Sequence, residues 1–496
     1  MKYPILTAEE AASLIKNDYT IGIGGFSSVG TPKAIPSALA KHAQALHEKG
    51  EEFRVGLITG GATGKQIDTE LSLAHAVKFR TPFQSNKDMR AAINSGEVQY
   101  FDVHLSMIGQ DVNYGFLGKI DVAIVEASDI TEDGKIILST SVGISPTLVK
   151  VADKVLIELN ASHTGKLTGM HDIYIPEIPP YRKPINIVNP GDRIGTTYVD
   201  VDPKKVLGVV MTDCRDNMAP FTPLNEETQT IGNLVADFLV KELKNGGIPK
   251  EFLPLQSGVG NVANAVLGAL GDNPEVPAFS MFTEVIQNSV MDLIMKGRCN
   301  YVTGSSLSLT EDALNMMYDN MNVFGNRVLL RPQEITNHPE LIRRMGIIAL
   351  NTALEADIFG NINSTHVSGT KMMNGIGGSA DFARNAYLSI FTTPSTAKGG
   401  LISSIVPMVT HTDSSEHSVR VIVTEQGVAD LRGKSPSQRA RLIIENCAHP
   451  DYKQLLWDYL KLSEGKGLHT PHSLQNAFKM HIALAETGDM RNCKFA

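Results

Sequence analysis

Short apolar runs alternate along this chain with stretches in which apolar residues recur at helical spacing. A run of about four to eight apolar residues between turn residues reads as a buried strand, and recurrence at i, i+3 and i+4 reads as helix. Thr7-Ala8-Glu9-Glu10 is a capping box opening a helix to about residue 16. Residues 19–24 read as the first strand, and a helical stretch over 34–47 follows Pro32. Between 98 and 210 the runs 120–125, 136–138, 155–157, 185–188 and 206–210 read as strands between turns. Residues 169–183 hold Pro176, Pro179 and Pro180 and cannot be a regular helix interior. They read as a long surface loop carrying Met170, His171, Tyr174 and Tyr181, a candidate cover for a site or contact with a partner subunit.

Residues 212–221 carry turn residues after a strand and read as a domain link. An amphipathic helix over 228–244 follows, with Ile231, Leu234, Val235, Phe238, Leu239 and Leu243 on one face, stopped by Gly246-Gly247 and Pro249. Strand and helix then alternate. Residues 253–255 lead through a glycine turn to a helix over 263–270. The apolar run 276–282 is followed by Val285, Ile286, Val290 and Leu293 at helical spacing. Further strands are expected at 328–330, 346–349, 401–406 and 419–424, with closing helices at 438–445 and 451–461. This alternation predicts an α/β protein with largely parallel sheets covered by helices. The division falls at 220, giving domains 1–220 and 221–496, the second carrying Glu284.

At 496 residues, the length prior suggests about two to four domains. Forty-two per cent hydrophobic and 20% charged residues can bury a core in each. A net charge of −8 and pI near 6.0 argue against a nucleic-acid-binding protein, which would carry a basic patch. The four cysteines are scattered, with no Cys-x-x-Cys pair, which fits a reducing cytoplasm rather than a zinc site or disulfide framework. Glu9 and Glu10 precede any long apolar run, so no secretory signal is expected. No stretch of about 18 consecutive apolar residues suggests a membrane span.

Four segments carry candidate chemistry. Glu284 sits where the apolar run 276–282 ends, and in open α/β sheets ligands bind outside the carboxyl ends of strands. The plainer reading makes Glu284 a first-turn acid favoured by the helix dipole. Gly258-Val259-Gly260-Asn261, between a strand and a helix, leaves backbone N–H groups suited to an oxygen bearing negative charge, or is a glycine turn for close packing. Gly375, Gly377 and Gly378 ahead of a helix make a second such nest, and Ser395–Gly400 is a basic loop before a strand. Two look-alikes fail. A dinucleotide fingerprint starting at Gly22 would need glycine where Ser27 stands, and a P-loop near Gly60 would need glycine at Thr59 and Ser or Thr at Gln66. His411, Asp413, Glu416 and His417 match no common metal spacing, so no metal site is expected.

Gly258-Val259-Gly260-Asn261 with Asn264-Ala265-Val266, then Thr283-Glu284-Val285, Gly377-Gly378-Ser379-Ala380-Asp381-Phe382 and Thr424-Glu425-Gln426-Gly427 through Arg432-Gly433 closely resemble the acetyl-CoA hydrolase/transferase family. These are class I CoA-transferases, and the likeness, nearest to the succinyl-CoA:acetate type, runs over nearly the whole chain. It implies two open-sheet α/β domains with the active site between them, a homodimer, no permanently bound cofactor, and acyl-CoA and short carboxylates as substrates. It makes Glu284 the nucleophile, with Gly260 and Gly378 as oxyanion donors and Asn337 beside the reacting group. It assigns CoA contacts to Gly258, Val259, Gly260, Asn261, Val262, Asn374, Gly378 and Lys398. Glu425 falls near the acyl or carboxylate group, and Arg215 falls in the segment of a carboxylate-binding arginine, though Cys214-Arg215-Asp216-Asn217 departs from the family pattern. The implied activity is CoA transfer between small acids, with acetyl-CoA hydrolysis through the same Glu284 and non-catalytic acyl-CoA binding as alternatives.

Overall fold

A computed structural model describes residues 2–216, 218, 223–464 and 467–495. The expected domain junction at 220 lies outside the described residues. The chain forms two compact units that are not contiguous in sequence. The first comprises Met1–Pro220, Ser280–Met345 and Asn374–Asp381, and the second Phe221–Phe279, Gly346–Met373 and Phe382–Ala496. The segment carrying Glu284 thus packs with the first 220 residues. Apolar periodicity reports that a segment is buried, not which unit buries it.

In the first unit a nine-stranded sheet runs in the order Ile5–Leu6, Val206–Thr212, Lys154–Asn160, Val122–Ile130, Thr20–Ser27, Val55–Ala62, Val77–Thr81 and Gln99–Tyr100. These pairings are parallel, and Ile136–Leu138 adds antiparallel to Val122–Ile130. Val55–Ala62 is buried along its whole length, as a parallel strand covered on both faces must be. Ile23, Leu57, Ile124 and Leu156 form its core with Ala11, Ala12, Ile35 and Leu39 of the helices Ala8–Ser13 and Ala34–His47. The expected capping box is present, Thr7 and Glu10 each satisfying the other's backbone N–H.

A buried ionic cluster ties this sheet together. Lys33 Nζ lies 2.6 Å from Glu126 Oε2 and 2.9 Å from Asp216 Oδ1. Asp216 also accepts from Gly30 N and Thr140 Oγ1. Glu158 accepts from the backbone N–H groups of Lys33, Ala34 and Ile35, where the helix dipole favours a negative charge. Burial pushes Glu126 up to about 8 against the pull of Lys33.

In the second unit, parallel strands run in the order Leu255–Ser257, Ile348–Thr352, Leu388–Thr392 and Val421–Thr424, with Gly427–Asp430 antiparallel at the end. The helix Glu226–Lys244 opens on a capping box at Asn225 and packs closely on the helix Asn261–Asp272, where a Cβ at Gly232 would meet the backbone of Ala265 at 2.8 Å. Pro436–Cys447 and Pro450–Glu464 complete its apolar core through Ile443, Ile444, Leu456 and Tyr459.

Five readings change. Val285 and Ile286 are not helical. Val285–Gln287 pairs in parallel with Ser306–Ser308, and the helix begins only at Asn288. Leu388–Thr392 is a sheet strand that the pattern did not predict, because Ser389 and Thr392 interrupt the apolar run. Both are buried, and Ser389 Oγ donates to Ser418 O at 2.6 Å. Residues 401–406 form two short pieces, Ile402–Ser403 and Ile405–Val406, outside the main sheet, and 185–188 forms no strand. Residues 169–183 are irregular as expected but not wholly superficial. Met170 and His171 are buried, and Tyr181 is exposed. Among the described residues no helix is long and apolar enough to cross a membrane.

Candidate active site

The strand Phe279–Phe282 ends at Thr283, whose N–H donates to Thr303 O. Glu284 follows. Its carbonyl accepts from Ser305 N at 2.7 Å and Ser306 N at 3.1 Å, which pins the backbone between two extended segments. Its side chain meets Asn337, whose Nδ2 donates to Glu284 Oε1 at 2.6 Å. Part of the residue's surface is open, but the carboxyl group is desolvated. Burial pushes its pKa up to about 7, the negative charge of Asp381 adds to the rise, and the Asn337 hydrogen bond opposes it.

Asn337 is fully buried and follows the short helix Gln333–Thr336. Its Oδ1 accepts from Thr336 Oγ1, which fixes the amide's orientation. The helix is braced by Gln333, whose Nε2 donates to Gly60 O and Leu105 O and whose N–H donates to Gly143 O. The P-loop look-alike at Gly60 therefore has a packing role. A Cβ there would collide with the Gln333 amide and Ile144.

Gly378 closes the other side. A Cβ at this position would overlap the Glu284 carboxylate and Asn337 Nδ2, so only glycine lets the backbone come this close. The segment before it is held by Gly375 N to Gln84 O and by Ile376 N to Asp102 Oδ2. Asn374 lies in the same segment, its Nδ2 donating to Gly375 O. Phe26 packs with Leu105, Val285 and Phe83 beside the nucleophile candidate.

In the second unit the other expected residues follow the carboxyl ends of parallel strands. Gly258 follows Leu255–Ser257 and donates its N–H to Leu350 O. Gly260, at φ +116°, starts the helix that begins with Asn261 and Val262. Val259 is half exposed. Glu425 follows Val421–Thr424 and accepts from Ser395 N at 2.8 Å, from Ser395 Oγ and from Gln426 Nε2. Burial would raise its pKa, but these hydrogen bonds outweigh burial and lower it. Lys398 is exposed at φ +50° between the paired segments Thr396–Ala397 and Ile402–Ser403. The carboxyl ends of parallel strands, which Gly258 and Glu425 follow, are where α/β proteins bind ligands.

The Arg215 guanidinium lies 5.4 Å from the Tyr318 ring centroid, and the Tyr318 hydroxyl pairs with His163 Nδ1. Of the His411 cluster, the His411 ring lies 4.0 Å from that of His366, tilted by 34°, and Asp413 is 3.3 Å from His411. Among the described residues no group of three or more His, Cys, Asp or Glu is arranged to hold a metal ion.

Family models of the acetyl-CoA hydrolase/transferase N-terminal and C-terminal domains match residues 2–211 and 314–460. The chain belongs to the acetyl-CoA hydrolase/transferase family. It is 49% identical to the propanoyl-CoA:succinate CoA transferase of Escherichia coli over 98% of both chains. It is 50% identical to the succinyl-CoA:acetate CoA-transferase of Clostridium kluyveri over 98% of this chain and 90% of that one. It is 42% identical to an acetyl-CoA hydrolase of Yarrowia lipolytica over 98% and 96%. Among solved structures, RipA from Yersinia pestis shares the fold at a TM-score of 0.70 and 23% identity, covering 92% of this chain and 97% of that one. The chain is an enzyme of this family.

Two residues beside Glu284 and Asn337 had no role assigned from sequence. Asp381 accepts from Asn337 Nδ2 at 3.2 Å, and Ser106 donates to it through both N (2.9 Å) and Oγ (2.6 Å). Asp381 lay in the recognised Gly-Gly-Ser-Ala-Asp-Phe motif, which was the available signal. Ser106, 275 positions away, carried none.

Proposed function

We propose that this enzyme transfers CoA between short carboxylic acids, with acetate, succinate and propionate as the acid class, through covalent chemistry at Glu284. The observation that carries this reading is the Glu284 carboxylate, desolvated at a strand end and held by Asn337 Nδ2 at 2.6 Å with the Gly378 backbone against it. A carboxylate so placed is a nucleophile stripped of water yet oriented.

The carboxylate attacks the thioester carbonyl of the donor, giving an acyl-glutamyl anhydride and CoA thiolate. The thiolate then attacks the glutamyl carbonyl, expels the first acid and leaves a glutamyl-CoA thioester. The acceptor acid reverses both steps, a ping-pong course. Excluding water while the anhydride exists preserves the thioester's energy. The backbone N–H groups around Val259 and Gly260, and that of Gly378, take the role of oxyanion donors. Gly258, Asn261, Val262 and Asn374 complete the CoA contacts. Lys398, an exposed cation, suits CoA's phosphates. Glu425 and Arg215 serve the acyl and carboxylate end. CoA and its thioesters are substrates, not resident cofactors, and the working form in this reading is a cytoplasmic homodimer.

One observation favours a second reading, acetyl-CoA hydrolysis with water as acceptor, since a relative 42% identical bears that name. Turnover of acetyl-CoA with and without succinate, with products separated chromatographically, distinguishes them. Succinyl-CoA formed with little free CoA supports transfer. Free CoA accumulating equally without succinate supports hydrolysis. No exchange into either acetate or succinate defeats the acid assignment.

A further inference from the structure

We propose that Asp381 is a positioning residue that aims the Asn337 amide at Glu284 and, by its own negative charge, makes the free Glu284 carboxylate a stronger nucleophile. The inference rests on the reading of Glu284 as nucleophile and adds to it a residue that does not itself touch substrate.

Asn337 Nδ2 reaches Glu284 Oε1 at 2.6 Å and Asp381 Oδ2 at 3.2 Å, so the amide bridges two carboxylates. A side-chain amide can be placed either way round. Here both carboxylates demand the NH2 end, and Thr336 Oγ1 donates to Oδ1. Without Asp381, one of the two groups that hold the NH2 toward Glu284 is gone.

Asp381 is in turn held as an acceptor. Its Oδ2 receives two obligatory donors, Asn337 Nδ2 and Ser106 N, and Ser106 Oγ lies 2.6 Å from Oδ1. Ser106 stands in the first turn of the ten-residue helix Leu105–Tyr114, whose N-terminal end favours an anion. Asp381 is 5% exposed, so its charge is little screened. His104, the residue that starts this helix, places Nδ1 3.9 Å from Asp381 Oδ1, beyond hydrogen-bond reach. Among the described residues Glu284, Asp381 and His104 meet here, Glu334 of the helix Gln333–Thr336 lies against Gly109 of the helix Leu105–Tyr114, and Asp102 accepts from Ile376 N in the segment before Gly378.

The consequence follows from charge. Glu284 is anionic before attack and neutral in both the anhydride and the thioester. Burial raises Asp381's own pKa against its hydrogen bonds from Ser106 and Asn337, and when it is ionised its negative charge raises the free energy of the Glu284 anion relative to those neutral acyl forms. The same charge raises Glu284's pKa, so the benefit appears at a pH high enough to keep Glu284 ionised.

The test compares Asp381→Asn, Asp381→Ala and Glu284→Gln in the full chain with acetyl-CoA and succinate. Asn at 381 keeps an oxygen for Asn337 and Ser106 N and loses only the charge. We expect its acid limb of kcat to move down by roughly one pH unit and its kcat to fall about tenfold, with KM for acetyl-CoA and Tm held. Asp381→Ala loses the orientation too, and kcat falls about a hundredfold. If Glu284→Gln is inactive while both Asp381 variants keep the wild-type acid limb and kcat, the positioning role is overturned and the nucleophile stands. If kcat falls only together with Tm and the acid limb stays in place, Asp381 is structural and the proposal is likewise overturned. If Glu284→Gln keeps its activity, the nucleophile reading beneath it fails.

Discussion

The Gly378 backbone lies so close to Glu284 that a Cβ on residue 378 would overlap the carboxylate oxygen Oε1. Gly378 is not needed here for an unusual φ, since its value does not fall among the chain's positive-φ glycines. It is needed for space. Gly378→Ala should therefore displace the Glu284–Asn337 pair rather than strain the local turn. Expected is a loss of about a hundredfold or more in kcat, with Tm within a few degrees of wild type, measured by steady-state kinetics and thermal melting.

Glu284→Gln removes the proposed nucleophile while keeping the side chain's size. Turnover should fall by at least roughly a thousandfold. Wild-type protein incubated with acetyl-CoA should carry a covalent CoA adduct by intact mass, and the variant should carry none. Asn337→Ala should retain the adduct but form it about a hundredfold more slowly.

The pH dependence follows from the raised Glu284 pKa. In the proposed mechanism the attacking form is the carboxylate, so activity is expected to be lost as pH falls through about 7 and to recover above it. An acid limb of kcat/KM near the ordinary glutamate value would contradict the desolvated site.

Lys33 is the cation paired with two buried carboxyl groups, Glu126 and Asp216. Lys33→Met leaves both without their cation. Removing one partner of a buried ion cluster costs about 3–5 kcal/mol, read as a lower urea midpoint with an unchanged slope. Glu126→Gln in the same chain should restore part of that loss.

His171 is fully buried, and burial lowers its pKa from 6.5 to about 4. Protonation is thus disfavoured in the folded state. The stability it contributes is complete above 6.5 and is lost as pH falls toward 4, up to roughly 3 kcal/mol. Compared with His171→Gln, whose amide can still donate to Ser139 O, the wild type should lose stability more steeply over that interval. Parallel slopes in urea titrations at pH 7, 5.5 and 4.5 would count against it.

The sequence by itself determined the α/β class, because strand and helix periods are local properties of the chain. It placed the helix Glu226–Lys244 nearly to its ends, where the apolar stripe is long and Gly246-Gly247 and Pro249 stop it. It put Glu284 just past a strand end, and the order of its glycine motifs identified the family. It misread Val285 and Ile286 as helix, because two apolar residues fit either period and only the partner strand Ser306–Ser308 selects the extended form. The hydrogen bonds of the site were decided by tertiary structure alone. Asn337 meets Glu284 across 53 positions, and Ser106 meets Asp381 across 275. A hydrogen bond depends on distances of a few tenths of an ångström between atoms, and local periodicity carries no information about which distant segments the packed chain will bring that close.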